Sequence, residues 1–565
     1  MSVWSKTLRL WPWLAAVCTG LLCGGCFAPF NQWWLCWIAL TPLLSAVWFS
    51  GQNSRRRGLR DFLLGYVSGV IFFWTVFFWL RTVTVPGWFM VGLYLGLYFG
   101  FWSWIAGRLR PTISATAPTT PGGGPNESFL SRSPWLRSSH NLLLAFVLAC
   151  AWVTQEALRS VIFSGWGWNT LGSALHGQWA LIQITELTGV PGLSFLTAFA
   201  NVIAIATVRR FILEAQVHKM RAHFDLTLTM SAIVGVMAYG IHALQVHRPS
   251  KPLRVALVQA NIPREHKFSP EFAHTIFEQF QRLSSPAVES TPRPDIVIWP
   301  ESSMPGPVLG DQASYDFVMN FSSNAKTDLL LGTIDFDDTG AVYNAAILVS
   351  EGGKRTQLYR KMHLVPFGEY IPGRHFVPLL AQIVGNQVPD DFAFGKEHTV
   401  FSLTNGGTKI APLICFEDTI GELTRQFVRR GAVLLANVTN DGWFLRSAGS
   451  QQHIANAVFR CVETRRPMVC AANTGVTCFI NEFGRITNVL LDDHGSQFTE
   501  GVLTGEANVP IDPEMTFYVQ HGEVFAQGCM AATALTFLYL IFRWSRRRSV
   551  RRGGNANRVP GAATL

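Results

Sequence analysis

Lys409-Ile-Ala-Pro-Leu-Ile-Cys415-Phe416-Glu417-Asp418 is the stretch that decides how this chain is read. Apolar residues run up to the cysteine and predict a buried strand. From about 419 to 430, Ile420, Leu423, Phe427 and Val428 share one face of a predicted helix, with Gly431 at its C-terminal cap. A cysteine between strand and helix points out of a sheet toward helix N-terminal amides. Those amides can hold an oxyanion and favour a thiolate. A free thiol, with a pKa near ~8.5, needs such help or a nearby cation to ionise at neutral pH. A buried cysteine closing a core strand has the same local pattern, so the stretch alone does not separate nucleophile from core.

The same alternation continues on both sides. Arg254-Val-Ala-Leu-Val-Gln-Ala260 and Asp295-Ile-Val-Ile-Trp299 read as strands, with helices at 270–284 and about 311–325. Strands follow at 329–334, 342–350, 355–360, 398–403, 408–415 and 432–438. A helix at 449–465 then precedes strands near 468–472, 476–481 and 486–490. Near-continuous apolar strands alternating with helices predict an α/β domain with a buried sheet over 248–522.

The remainder of the chain is of another kind. Of 565 residues, 49% are hydrophobic and only 15% charged, with 20 Trp and 41 Phe, a load that suits membrane interfaces as well as cores. The net charge of +10 gathers in short clusters beside apolar runs, such as Arg55-Arg56-Arg57 and Arg546-Arg547-Arg548. A nucleic-acid partner would call for one basic face instead, so the clusters read as topology signals. Residues 10–53 hold no Asp, Glu, Lys or Arg and are long enough for two spans around Ala28-Pro29-Phe30-Asn31. Further spans are expected at 62–80, 83–106, 141–160, 187–208, 226–246 and 524–542. Glu156 and Arg159 intrude on 141–160 and must snorkel or face the bundle interior. The expectation is an eight-helix bundle: seven spans in 1–247, and the eighth with a basic tail in 523–565. The first run has no clear cleavage site and reads as an uncleaved span. With the N-terminus in the cytoplasm, the arginine-rich loops at 51–61, 107–140 and 209–225 and the tail fall inside. The other side receives only Arg81 in its short loops, together with the large domain. Residues 111–136, rich in Pro, Gly, Ser and Thr, read as a disordered cytoplasmic insertion. Residues 161–186 read as an outer interfacial segment.

Three groups of residues carry chemistry. Cys415 is one of ten cysteines, six of which lie in apolar spans; no disulfide framework or metal-ligand spacing is visible. Glu301 follows Ile298-Trp299-Pro300, at a strand end where α/β sites gather. Desolvated there, it can serve as general base to a thiol. A solvated loop carboxylate or helix cap fits the same local pattern. Arg360-Lys361-Met362-His363-Leu364-Val365-Pro366-Phe367-Gly368-Glu369 packs cation, imidazole and carboxylate together. A lysine beside a thiol stabilises thiolate and oxyanion. With Lys361 and Glu369 in those roles, His363 reads as structural.

Taken in order, Trp-Pro-Glu, Lys-x-x-Leu-Val-Pro-Phe-Gly-Glu and Cys-Phe-Glu resemble the Glu–Lys–Cys triad of the nitrilase superfamily. Asn437-Val-Thr-Asn440-Asp441-Gly-Trp443-Phe444 resembles its stretch after the nucleophile. Eight spans around such a domain resemble the apolipoprotein N-acyltransferase family of bacterial inner membranes, over nearly the whole chain. The resemblance implies an extracytoplasmic nitrilase-like αββα sandwich on a transmembrane bundle. It implies Glu301 as base, Lys361 as stabiliser of the tetrahedral intermediate and Cys415 as acyl-accepting nucleophile. Glu369 and Glu417 match the family's supporting carboxylates, and Asn344 looks like a supporting polar residue. No metal or other cofactor is implied. The family often has Tyr after the nucleophile, where this chain has Phe416, and Trp in a mobile arm, where it has Lys267-Phe268.

The expected reaction passes an acyl chain from a phospholipid, phosphatidylethanolamine by resemblance, through a Cys415 thioester to the α-amine of a diacylglyceryl-cysteine on an apolipoprotein. A thioester is activated enough for an amine to open, and ping-pong kinetics follow. The alternatives are a membrane-anchored nitrilase-type amidase, with water as acceptor, and a lipoprotein-binding scaffold. Eight spans argue against the amidase, for which one anchor would suffice; an intact triad argues against the scaffold. The segment 372–394, with Phe376 and Ile383, reads equally as a lid entering the outer leaflet or as a core helix.

Overall fold

The computed structural model describes residues 3–51, 54–110, 133–216, 221–350, 352–372, 374, 390–404 and 407–556. Most of the 111–136 insertion and of the 372–394 segment lies outside them.

The first half is helical. Helices α1 (Val3–Gly25), α2 (Thr41–Phe49), α3 (Arg57–Val76), α4 (Val85–Arg108), α5 (Pro134–Arg159), α6 (Val190–Gln216) and α7 (Phe224–Gln245) lead into the α/β part, and a C-terminal helix spans Val524–Ala556. Among the described residues, six helices are long and apolar enough to cross a membrane: α3 to α7 and the C-terminal one. The segments Leu10–Gly25 and Trp33–Phe49 are apolar but shorter. The second is broken, a 3₁₀ turn at Trp33–Trp37 preceding α2. The bundle packs through small residues, as lipid-embedded helices do. A Cβ on Gly65 would sit 2.4 Å from the Phe99 carbonyl oxygen, so α3 and α4 approach backbone to backbone. Glu156 and Arg159 face the interior. Glu156 accepts from Trp152 Nε1 and the Leu171 amide, each at 2.8 Å, and Arg159 donates to the Trp168 carbonyl at 2.7 Å.

From residue 250 two six-stranded sheets follow. The first contains β1 (Ser250–Gln259), β2 (Ile296–Ile298), β3 (Asp328–Phe336), β4 (Val342–Ser350) and β5 (Arg355–Arg360), in that order. The second runs from β6 (Phe401–Ser402) through β7 (Lys409–Ile414), β8 (Leu434–Thr439), β9 (Met468–Ala472) and β10 (Cys478–Ile480) to β11 (Ile486–Val489). Strand alternation sorts the two faces. Leu253, Val255 and Leu257 of β1 join one core with Leu413 and Leu435 of the facing sheet. Ala256 and Val258 turn outward onto α8 (Ala273–Glu289) and α9 (Gln312–Ala325), through Phe280 and Phe321. Helices α10 (Gly421–Arg429) and α11 (Gly449–Thr464) cover the second sheet. The layers are helix, sheet, sheet, helix, as expected.

One local reading changes and one is filled in. The sequence pattern shows no strand at 501–510, yet β12 (Gly501–Pro510) pairs antiparallel with all of β1, from Gly501 opposite Gln259 to Pro510 opposite Ser250. It is an edge strand, largely solvent-facing, so it lacks the apolar run that marks the others. The helix expected at about 419–430 runs from Gly421 to Arg429, and the gap between it and the strand is filled by a 3₁₀ turn at Cys415–Thr419.

Candidate active site

The candidate residues lie on or just past strands of the two sheets. Trp299 and Pro300 extend the β2–β3 ladder past the strand: the Trp299 amide donates to the Leu330 carbonyl at 2.8 Å, and the Gly332 amide to the Pro300 carbonyl at 3.1 Å. Gly332 is obligatory here, since a Cβ would lie 2.5 Å from Glu301 Cα. Lys361 follows β5, its amide bonded to the Asn344 carbonyl at 2.8 Å and its carbonyl to the Gly395 amide at 2.7 Å. Asn344 itself lies on β4. Three strands of one sheet, β2, β4 and β5, with β3 between the first two, thus bring Glu301, Asn344 and Lys361 together.

The side chains close into one network. Lys361 Nζ is 2.9 Å from Glu369 Oε1 and 3.9 Å from Glu301 Oε1. Asn344 Nδ2 lies 2.7 Å from the same oxygen of each carboxylate. The second oxygen of Glu369 accepts the Val365 amide at 2.7 Å. Lys361 is 1% exposed and Glu301 8%. Burial opposes the charge of Lys361, but Glu369 and Glu301 hold it firmly cationic. Burial, with the Glu369 charge, raises the Glu301 carboxyl, against Lys361 and Asn344. A desolvated carboxylate of raised basicity suits a base.

Cys415 comes from the other sheet. Its backbone has φ of +53°, an uncommon value for a non-glycine residue, and the side chain is half-buried. This left-handed residue is why the helix cannot start there. Glu417 then folds back and clamps the turn. One of its oxygens accepts Tyr359 Oη and the Met362 and His363 amides at 2.8, 2.8 and 3.0 Å; the other accepts the Ile414 amide at 3.0 Å. Glu417 therefore ties the cysteine turn to the lysine loop. Its carboxyl is raised to about 7 by burial, against Lys361 and these amides. The Cys415 thiol is pushed up to about 12 by burial and the Glu301 charge, with Lys361 and His453 opposing. The resting thiol is thus protonated at neutral pH and would need a base to become a nucleophile. His363 gives only its amide to this network, and its ring is exposed.

Sequence reasoning missed two side chains. His453 on α11 is buried, with Nε2 2.9 Å from Asp418 and Nδ1 3.0 Å from Asp441. Those carboxylates keep it cationic against burial, and its charge acts on the thiol. Lys267, noticed in the sequence only beside Phe268, is 3% exposed, and its Nζ donates to the Glu301 carbonyl at 2.5 Å. Asp441 lies in a motif already singled out, but no local signal pairs it with His453.

The helical half supplies a wall. Phe416 stacks on Trp168 at 6.0 Å, and Trp168 stacks on His453 at 5.3 Å. Trp168 Nε1 donates to Thr419 at 3.2 Å. The segment read as interfacial thus packs its indoles on the cysteine turn. Gln452 on α11 accepts from Trp79 Nε1 and Asn169 Nδ2 and donates to the carbonyls of Ala28 and Val76.

Comparison with known proteins agrees with both halves. Residues 254–510 match the family model described as carbon-nitrogen hydrolase, and residues 19–203 that of the apolipoprotein N-acyltransferase N-terminal domain. Fold and site define a nitrilase-like domain carried on a bundle of apolar helices, in a membrane protein. The chain is 33% identical to the apolipoprotein N-acyltransferase of Geobacter metallireducens over 93% of its own length and 94% of that protein's. It is 30% identical to that of Methylococcus capsulatus, over 84% and 86%. It belongs to the apolipoprotein N-acyltransferase family and is an acyltransferase. Among solved structures, an amidase from Nesterenkonia sp. is 17% identical with a TM-score of 0.34, covering 50% of this chain and 98% of that one.

Proposed function

We propose that this enzyme N-acylates apolipoproteins by the two-step route its site geometry supports best. Glu301 takes the Cys415 proton as sulfur attacks the sn-1 ester of a phospholipid, and the oxyanion develops against Lys361. The C–O bond breaks, Glu301 returns the proton to the departing lysophospholipid oxygen, and a thioester remains. The α-amine of the diacylglyceryl-cysteine then attacks the thioester. The C–S bond breaks, and the amine's proton passes through Glu301 to the released thiolate. Asn344 and Glu369 hold base and lysine in register, and Glu417 holds the turn.

The observation that carries this reading is the seat of Phe416, next to the nucleophile, against Trp168 of the helical half. A nucleophile whose neighbour packs on a membrane bundle meets lipid acyl chains, whereas an amidase with a soluble substrate needs no such wall. Phosphatidylethanolamine is the proposed donor. The bundle is proposed to comprise eight spans, the two shorter apolar segments included, within 1–247 and 523–565. The catalytic domain, 248–522, would lie outside the cytoplasm of a bacterial inner membrane and both termini inside, in keeping with the arginine-rich loops. Purified enzyme, labelled phospholipid and a diacylated acceptor peptide test the reaction. N-acyl peptide is the expected product; free fatty acid as the main product would favour the amidase.

A further inference from the structure

The loop after β1 is pinned at three points. The Asn261 amide donates to the Asn473 carbonyl at 2.7 Å, the Arg264 guanidinium lies 3.4 Å over the Trp443 ring, and Lys267 reaches the Glu301 carbonyl. The third pin is unusual. Lys267 is as buried as a core residue, yet among the described residues its ammonium pairs with no carboxylate and is held by a single carbonyl oxygen. A buried cation so sparsely satisfied is costly, and a neutral side chain would pack there more cheaply. Phe268, the next residue, faces outward at 56% exposure, so the buried lysine does not serve to bury its neighbour. Its benefit must come from what it faces.

It faces the reaction centre. Glu301 and Cys415 are the groups whose charges act on it, and Lys361 and Glu369 stand behind Glu301. Counting Glu301 and Glu369 as anions and Lys361 as a cation leaves the network one charge negative, before and after the thiol proton moves to Glu301. A second cation restores neutrality. On the basis of the reaction proposed above, we propose that Lys267 is a positioning residue of the acyl-transfer site. Its ammonium fixes the backbone of the base and adds a positive charge, beside those of Lys361 and His453, near the Cys415 sulfur.

The role has a signature in pH. Burial pulls Lys267 down to about 8, against Glu301 and Cys415, while the thiol lies at about 12. Lys267 therefore loses its charge before the thiol titrates, and its help is confined to neutral pH. His453 and Asp441, which also act on the thiol, remain in every variant.

The test is alkylation of Cys415 by iodoacetamide across pH, read by peptide mass, in wild type, Lys267→Met and Lys267→Arg of the full chain. At neutral pH, Lys267→Met should react about tenfold more slowly than wild type, one pKa unit's worth of thiolate. The gap should close as pH rises past the titration of Lys267. Lys267→Arg, which keeps its charge, should overtake wild type there. If Lys267→Met does not fold, the comparison with Lys267→Arg decides alone. A ratio that stays constant with pH, or wild-type reactivity in both variants, overturns the proposal and leaves the lysine as loop packing. Alkylation needs no lipid, so it judges Lys267 even if the wild type forms no acyl adduct with phospholipid, an outcome that would sink the acyl-transfer reading instead.

Discussion

At the scale of the residue, the proposed site sets one carboxylate between opposing influences. Glu301 is raised by burial and by Glu369, and lowered by Lys361 and Asn344. Two substitutions should therefore move the acidic limb of the acylation rate in opposite directions. Glu369→Gln removes a like charge, lowers the Glu301 pKa and shifts the limb to lower pH. Asn344→Ala removes a donor to the carboxylate and shifts it to higher pH. Both should slow acylation, by about 10- to 100-fold, since both loosen the geometry that orients base and lysine. Rapid-quench mass analysis over a pH series measures rate and limb together; shifts in one common direction would contradict this account. Glu417 has a different duty. Glu417→Leu would strand four donors in the interior at roughly 1–3 kcal/mol each, partly relieved by relaxation. A loss of about 3 kcal/mol or more in chemical unfolding is expected, against little change for a merely packed side chain. Glu301, Lys361 and Cys415 were legible as candidates because each follows a strand and stands in a motif. His453 and Lys267 were not, since the partners of His453 are 35 and 12 positions away and that of Lys267 is 34 away, and no periodicity connects them.

At the scale of the element, strand ends deliver the chemistry and glycines set its tolerance. Gly332→Ala should reduce acylation by 10-fold or more, because the added methyl meets the Glu301 backbone. Gly528→Ala, in the C-terminal helix where a Cβ meets nothing within 4 Å, should be neutral. Equal activity of the two variants would mean that Glu301 is not held as tightly as its bonds imply. Most strands were readable from their apolar runs, β4 and β5 to the residue. The edge strand β12 was not, because Gly501, Gly505 and Pro510 break its pattern and its pairing with β1 is made at long range. The helix at about 419–430 was readable from the apolar face of α10, but the 3₁₀ turn before it was not, since periodicity does not register the positive φ of Cys415.

At the scale of the whole molecule, the bundle packs directly against the candidate site. Gln452 joins α11 to Trp79, Asn169, Ala28 and Val76, four points on three segments of the helical half. Gln452→Leu should strand these groups and lower use of vesicle phospholipid more than alkylation of Cys415, which needs no lipid wall. Equal losses in both would mean that the interface only stabilises the fold. The proposed topology predicts that single cysteines at Ser54 and Ser290 react with an impermeant maleimide from opposite sides of the membrane; labelling from one side would contradict it. Composition and charge made the membrane half visible in sequence. That Trp168 of this half would stack on the cysteine turn was not visible, because Trp168 and Cys415 are 247 positions apart and only the fold joins them. The central claim is that Cys415 carries the acyl chain between lipid and lipoprotein. Intact mass after incubation with phospholipid tests it most directly. One acyl adduct is expected, mapped to Cys415, absent in Cys415→Ala and lost when a diacylated acceptor peptide is added. An N-acylated peptide produced by Cys415→Ala, or an adduct that persists in the presence of acceptor, would contradict it.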